Sequence, residues 1–295
     1  MKIFDCFMFY DEDLLLEIRM NILNKFVDYF VIVESKFFHN GKSRPLKFNI
    51  DRYQNFKDKI IYLTQDHQPV ELKKLDPSDD EGVKSFKLIF NAHKREHFQR
   101  NFIEKGLTTA KDNDIILISD VDEIPNLEFV NFNNLNQKIF LFQQDMLYYK
   151  FNLKLPNYTW IGTKGCKKKY FKTPQWLRNI KDRKYPFYRF DALFSEKKFI
   201  NCILINNGGW HFTNIKTAQE IKHKLQSYLH HIEFDKKPLN EVKINEMIKN
   251  KVAIYDLNAD KRKNKFGGNK LVNYPINNLP KFLINNLEKY KQWID

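Results

Sequence analysis

The run Asp114-Ile115-Ile116-Leu117-Ile118-Ser119 limits what this chain can fold into more than any other segment. Four consecutive large apolar residues, three of them β-branched, form a short strand with no polar face. Such a strand is stable where both of its faces are covered, as in a parallel sheet sandwiched by helices. It delivers Asp120 to its carboxyl end, directly before Val121-Asp122-Glu123-Ile124-Pro125. The rest of the first half repeats the theme. Lys2 to Phe9 is β-prone, and Asp11-Glu12-Asp13 then opens a helix carrying Leu14, Leu15, Ile18 and Ile22 on an apolar stripe. Tyr29-Phe30-Val31-Ile32-Val33 ends at Glu34-Ser35, and Lys59-Ile60-Ile61-Tyr62-Leu63 follows. From Val83 to about Gly106 the three- and four-residue spacing of Phe86, Ile89, Phe90, His93, His97 and Arg100 predicts a helix, with Gly106 placed to stop it.

Strands alternating with helices predict an α/β fold with a mostly parallel central sheet. Ligands of such sheets bind beyond the carboxyl ends of the strands, so Glu34-Ser35 and Asp120 to Glu123 are expected to face one cleft. After Pro125 the alternation gives way to mixed aromatic segments, with a strand-like Lys198 to Ile205 and helices expected over Ile215 to Ile232 and Val242 to Ile254. No Pro- or Ser-rich linker interrupts the 295 residues, which predicts one continuous domain with a C-terminal elaboration.

Cys6, Cys166 and Cys202 are too few and too scattered for a disulfide framework, and a reducing compartment is the simpler expectation. No run approaches the roughly 18 to 20 apolar residues that span a bilayer, and the first residues lack a signal-peptide pattern, so a cytoplasmic location is expected. The formal charge of +14 suits a nucleic-acid binder, an enzyme that holds a diphosphate, or a protein touching anionic lipid. Lys164 to Lys184 interleaves nine cations with Tyr170, Phe171 and Trp176, a mixture that can bind single-stranded nucleic acid or stack on sugars. No helix-turn-helix, zinc-finger or aromatic RNA-binding signature accompanies it.

Asp120 and Asp122, with Glu123 adjacent, make a hard oxygen-ligand cluster suited to Mg²⁺ or Mn²⁺, an ion able to bridge diphosphate oxygens. Asp-x-Asp on its own is common in solvated turns, and its place after the apolar strand is what separates it from them. Gly208-Gly209-Trp210-His211-Phe212 permits close backbone approach, and His211 can add an imidazole ligand or simply pack beside its aromatic neighbours. Arg100 can reach a phosphate or base, or pair with Glu96 or Glu104. His93 and His97 stand at i and i+4, but Lys94 replaces the glutamate a thermolysin-type zinc site needs. His230-His231-x-Glu233 closes a predicted helix, where imidazoles also serve as caps. An aspartyl-phosphate phosphatase would likewise place Asp-x-Asp at a strand end, though near its chain start and followed by Thr or Val.

Taken in order, several fragments resemble glycosyltransferase family 17. They are Phe4-Asp5-Cys6-Phe7 through Leu14-Leu15-Leu16-Glu17-Ile18-Arg19, Phe30-Val31-Ile32-Val33-Glu34-Ser35, Arg100-Asn101 before Gly106-Leu107, and Ile116 to Pro125. Gly208 to Phe212, then Lys224 and His231-x-Glu233, complete the set. The resemblance implies a GT-A type, Rossmann-like fold and inverting transfer of N-acetylglucosamine from UDP-GlcNAc to a glycan hydroxyl, aided by Mn²⁺ or Mg²⁺. It divides the chain into a nucleotide-binding part over 1–125, an acceptor and metal part over 126–240 and a helical elaboration over 241–295. On these residues it implies metal contact by Asp122, Asp120 on ribose or metal, and His211 as a further ligand. Glu34, Arg100 and Trp210 fall on the donor side. Inversion needs a base separate from the metal ligands, and Asp191 and Glu233 are the candidates, with Asp145 behind them. A nucleic-acid-binding protein and a metal-dependent phosphohydrolase are the competing expectations.

Overall fold

A computed structural model of the chain describes residues 1–181, 201–227, 239–255 and 268–295. The first half follows the alternation expected of it: β1 (Ile3–Phe9), α1 (Asp13–Leu23), β2 (Tyr29–Ser35), β3 (Ile60–Gln65), α2 (Glu81–Asn101) and β4 (Ile115–Asp120). All four strands pair in parallel. Phe4 lies opposite Tyr29 and Ile116, and Phe30 opposite Ile60. The register aligns Phe9 with Glu34 and Met8 with Asp120, so the carboxyl ends of β1, β2 and β4 finish side by side. Burial explains the apolar runs, since Ile115 to Ile118 and Phe30 to Val33 are completely enclosed. α2 is started by Asp80, whose carboxylate accepts from Val83 N at 2.8 Å.

Past β4 the sheet is mixed. β5 (Glu123–Pro125), β6 (Ile139–Tyr148), β7 (Leu153–Lys167), the short α3 (Pro174–Asn179), β8 (Cys202–Ile205) and β9 (Gly209–Thr213) follow. The strand order is β3-β2-β1-β4-β7-β6-β9-β5, with β8 also paired to β6. β7 runs antiparallel to both β4 and β6, and β9 runs parallel to β6 but antiparallel to β5. The parallel arrangement expected of the sheet therefore holds for its first four strands and changes at β7, a fifteen-residue strand without a clean apolar alternation in the sequence. α4 (Ala218–Ser227) and α5 (Glu241–Lys249) pack with β6 and β7 through Leu153, Leu155, Ile221 and Ile244. α5 ends at Lys249, short of the expected Ile254, because Lys251 adopts a left-handed backbone with φ 54°. β10 (Val272–Asn273) pairs with β7, and α6 (Lys281–Ile284) packs near α1.

Gly106 does not cap α2, which ends at Asn101 and continues as a tight turn over Phe102–Gly106. A Cβ at Gly106 would lie 2.5 Å from Val31 Cγ1, so this glycine permits close packing against β2. Among the described residues, no helix is long and apolar enough to cross a membrane.

Candidate functional site

β4 ends at Asp120, and the chain turns at once into β5. The turn is shaped from below by Arg19 of α1. Its guanidinium is fully buried and grips Asp5 of β1 at 2.6 and 2.8 Å. It also donates to Ser119 Oγ at 2.5 Å and to the carbonyls of Asp120, Val121 and Glu123 at 3.1, 3.2 and 2.9 Å. Asp5 and Arg19 therefore belong to the site although neither reaches its surface. Arginine is required here because its planar fork satisfies a carboxylate and several carbonyls at once.

β5 then pairs with β9, setting Glu123 opposite His211 and Pro125 opposite Gly209. Two fragments nearly ninety residues apart in sequence become adjacent strands. Gly209 makes this possible: its φ is +130°, and a Cβ there would stand 2.1 Å from Ile124 O. The close approach expected of Gly208-Gly209 is thus an approach of backbone to backbone.

Three carboxylates take three different roles. Glu123 is enclosed and fully engaged, accepting from Asp120 N (2.9 Å), Trp160 Nε1 (2.5 Å) and both terminal nitrogens of Arg178 (2.6 and 2.7 Å). It is a fixed part of the scaffold and has no oxygen left for a cation. Asp120 has one oxygen on Arg178 at 2.9 Å and the other on Arg100 at 3.2 Å. Burial would raise its carboxyl, but the charges of Arg178 and Arg100 prevail and hold it below the usual range. Among the described residues, no arginine pairs with Asp122. Its Oδ2 lies 3.6 Å from His211 Nε2 and 3.9 Å from Lys224 Nζ. Burial acts to raise it, and His211 and Lys224 more than compensate, keeping it ionised far below the ordinary carboxylate range. Burial pushes the His211 imidazole down, while Asp122 and Glu123 pull it up, and the net displacement is upward.

The donors suit a divalent cation. Asp122 offers an ionised oxygen and His211 its Nε2, 3.6 Å away on the neighbouring strand, whereas His211 Nδ1, on the far edge of the ring, is buried without a hydrogen-bond partner among the described residues. Thr213 Oγ1, 3.0 Å from His211 Nε2, orients the ring.

These groups line a cleft of about 270 Å³ at the carboxyl ends of β1, β2 and β4. Its far wall is Tyr10, Phe38, His39 and Arg44, with the Arg44 guanidinium 4.2 Å above the Tyr10 ring. Arg100 enters from α2, held by Glu96 at 2.8 Å and Gln175 at 2.6 Å. Burial tends to raise the Glu96 carboxyl, yet His93, Arg100 and His39 depress it strongly. One turn of α2 brings a ligand-type atom of each of His93, Glu96 and His97 within 4.8 Å of the others, and Glu96 ties that turn to Arg100.

Arg100, Asp120, Asp122 and His211 are therefore brought together in one cleft. Glu34 and Trp210 are not. The Glu34 carboxylate is buried beneath the cleft, accepting from Lys47 N, Phe48 N and Tyr62 Oη at 2.7, 3.1 and 2.8 Å. Trp210 turns to the opposite face of β9 from His211, as strand alternation requires, and donates to Asn278 O at 2.9 Å. The indole in the cleft is Trp160 of β7, centred 5.5 Å from the His211 ring. Asp145 is occupied by Lys154 at 2.5 Å and Tyr274 at 2.9 Å. Asp191, Glu233 and the His230-His231 pair lie outside the described residues.

Arg178 and Trp160 also belong to the site, and neither is marked by the pattern of residues around it. Arg178 was one of nine cations in a basic run, and Trp160 carried no signal beyond its residue type. The basic run is not a continuous outward stripe: Arg178 turns to Asp120 and Glu123, and Lys164 donates inward to the carbonyls of Arg178 and Ile180 at 2.7 and 2.6 Å.

This geometry belongs to a chain whose sequence matches glycosyltransferase family 17 over residues 1–294, and the chain belongs to that family. Among its relatives are the Beta-1,4-mannosyl-glycoprotein 4-beta-N-acetylglucosaminyltransferases of Homo sapiens and Rattus norvegicus, each 26% identical over 228 residues, and of Mus musculus, 25% identical over the same length. In each case 72% of this chain is aligned with 40% of the relative, so the chain spans about 40% of the length of these curated proteins.

Proposed function

We propose that this chain transfers a sugar, N-acetylglucosamine by analogy with its relatives, from a UDP-sugar to a hydroxyl of a glycan acceptor with inversion. The fold in this reading is of the GT-A type. The observation that carries it is the pairing of β5 with β9, which brings Asp122 and His211 together on the lining of a cleft that also holds Arg44 and Arg100, at parallel strand ends. A Mn²⁺ or Mg²⁺ ion held by Asp122 and His211 would neutralise the diphosphate as it leaves.

The chain's own residues do the rest. Arg100 on the cleft lining would lend its positive charge to the donor diphosphate, and Arg178 would hold the Asp120 carboxylate in a constant orientation. Tyr10, Phe38 and Arg44 supply an aromatic and cationic wall suited to a nucleoside. In the transfer, the acceptor oxygen forms a bond to the anomeric carbon, the bond to UDP breaks, and the hydroxyl proton passes to a carboxylate. Asp191 and Glu233 are the proposed bases.

Asp122→Ala is expected to abolish the Mn²⁺-dependent rise in melting temperature caused by UDP, and to lower UDP release from UDP-GlcNAc by about a hundredfold or more. Transfer that is indifferent to chelation of divalent ions would sink this reading, as would salt-sensitive nucleic-acid binding that survives in the same variant.

A further inference from the structure

A second cavity, of about 250 Å³, opens on the other side of Asp122. Its lining is largely apolar and aromatic: Met146 and Tyr148 of β6, Trp160 of β7, Leu225 of α4 and Tyr255. The two cavities share Asp122, Trp160, His211 and Lys224, so these residues form a partition with the charged cleft on one side and an aromatic chamber on the other. Trp160 is pinned by its hydrogen bond to Glu123 and by its contact with the His211 ring, and Tyr158 stacks on it with centroids 6.5 Å apart and planes 28° from parallel.

We propose that this chamber is the acceptor subsite and takes a single pyranose ring. The proposal rests on the transferase reading above. The two faces of the partition differ in chemistry as the two substrates do. The charged side, with Arg44, Arg100, Asp120 and Asp122, suits a nucleoside diphosphate. The chamber offers aromatic walls, and the charged groups on its described lining are the Asp122, His211 and Lys224 that it shares with the cleft. A pyranose has an apolar face of axial C–H groups, which stacks on the electron-rich face of an indole or phenol. Its hydroxyls need a small number of placed polar groups, which Thr213, Asn214 and Lys224 provide on the lining. A ring in the chamber would direct one hydroxyl past Trp160 toward the Asp122 end of the cleft, where the donor's anomeric carbon has to lie. The fully engaged Glu123 keeps the partition in place whichever substrate is bound.

The test uses the full chain and a panel of methyl β-glycosides of mannose, glucose, galactose and N-acetylglucosamine, titrated by saturation-transfer NMR with UDP and Mn²⁺ present. Leu225→Trp fills the chamber and Tyr255→Ala removes a wall, and neither residue lines the charged cleft. At least one glycoside should bind saturably, and Leu225→Trp should weaken it by about tenfold or more, with a smaller loss in Tyr255→Ala. UDP affinity should stay within about twofold of the original in both variants. Leu225→Phe, a milder filling, stands in if the tryptophan variant does not fold. Glycoside binding that is unchanged in the folded variants would overturn the subsite, as would no saturable glycoside binding by a protein that does bind UDP. Failure to bind UDP at all would instead count against the donor reading, and glycoside binding would then be scored on the protein without UDP.

Discussion

At the scale of single residues the site depends on a buried ion pair that no substrate touches. Asp5 and Arg19 are both inaccessible, and Arg19 carries the turn after β4 on its remaining nitrogen, Nη1. Removing one partner of such a pair leaves an uncompensated charge in the interior, a cost of about 3–5 kcal/mol. Arg19→Ala should therefore lose about that much stability in urea unfolding, and Arg19→Lys should recover little of it because an ammonium cannot satisfy the carboxylate and the carbonyls together. A loss below about 1 kcal/mol in Arg19→Ala would show that the turn is held by other contacts. The carboxylate cluster also divides at this scale. Asp120, Asp122 and Glu123 look equivalent in the sequence, yet two arginines occupy the first, an imidazole and an ammonium face the second, and the third is enclosed.

At the scale of elements, the decisive contact is β5 against β9. The three-residue β5 has room for β9 only because Gly209 has no side chain and accepts a left-handed backbone. Gly209→Ala would place a Cβ against the Ile124 carbonyl and strain φ as well, so it should cost more than ~3 kcal/mol or prevent folding. If the variant folds, β9 has to withdraw from β5, and UDP binding should fall together with stability. Thermal unfolding with and without UDP and Mn²⁺ separates the two effects, and an unchanged melting temperature would refute the account. The alternation along β9 also explains why Trp210 and His211, neighbours in sequence, serve different surfaces: one packs into the core and the other faces the cleft.

At the scale of the molecule, the C-terminal residues complete the core of the first half. One cluster of buried side chains joins Phe7, Ile32 and Leu117 to Phe212, Leu283 and Tyr290. Tyr290 Oη donates to Glu17 of α1 at 3.2 Å, Phe151 N donates to Trp293 O at 2.8 Å, and Asp295 N donates to Asn152 Oδ1 at 2.7 Å. Deleting residues 279–295 should uncover Phe151 and the apolar side of α1 and remove Leu279, Leu283 and Tyr290 from the core. At about 1.5–3 kcal/mol for each large apolar side chain, that loss is comparable with a domain's whole stability. The truncated chain is expected to unfold or aggregate near room temperature, and a cooperative melt close to that of the full chain would show the segment to be dispensable.

The sequence by itself determined the parallel first half, because Ile115 to Ile118 and Phe30 to Val33 are apolar runs that only a doubly covered strand can bury. It also determined that Asp120 and Asp122 stand at a strand end, since that follows from where the apolar run stops. Chain order could not state which distant groups would meet them. Arg178 reaches Asp120 across 58 positions, and Trp160 reaches Glu123 across 37. Trp160 arrives with the antiparallel insertion of β7 beside β4, and Arg178 with α3, which packs on both strands, and neither residue carries a local signal of its partner. Tertiary structure alone decided that Glu123 and Asp120 are tied to arginine and that Glu34 is buried under the cleft. A carboxylate's role is set by the charges and donors around it, and those came from other strands.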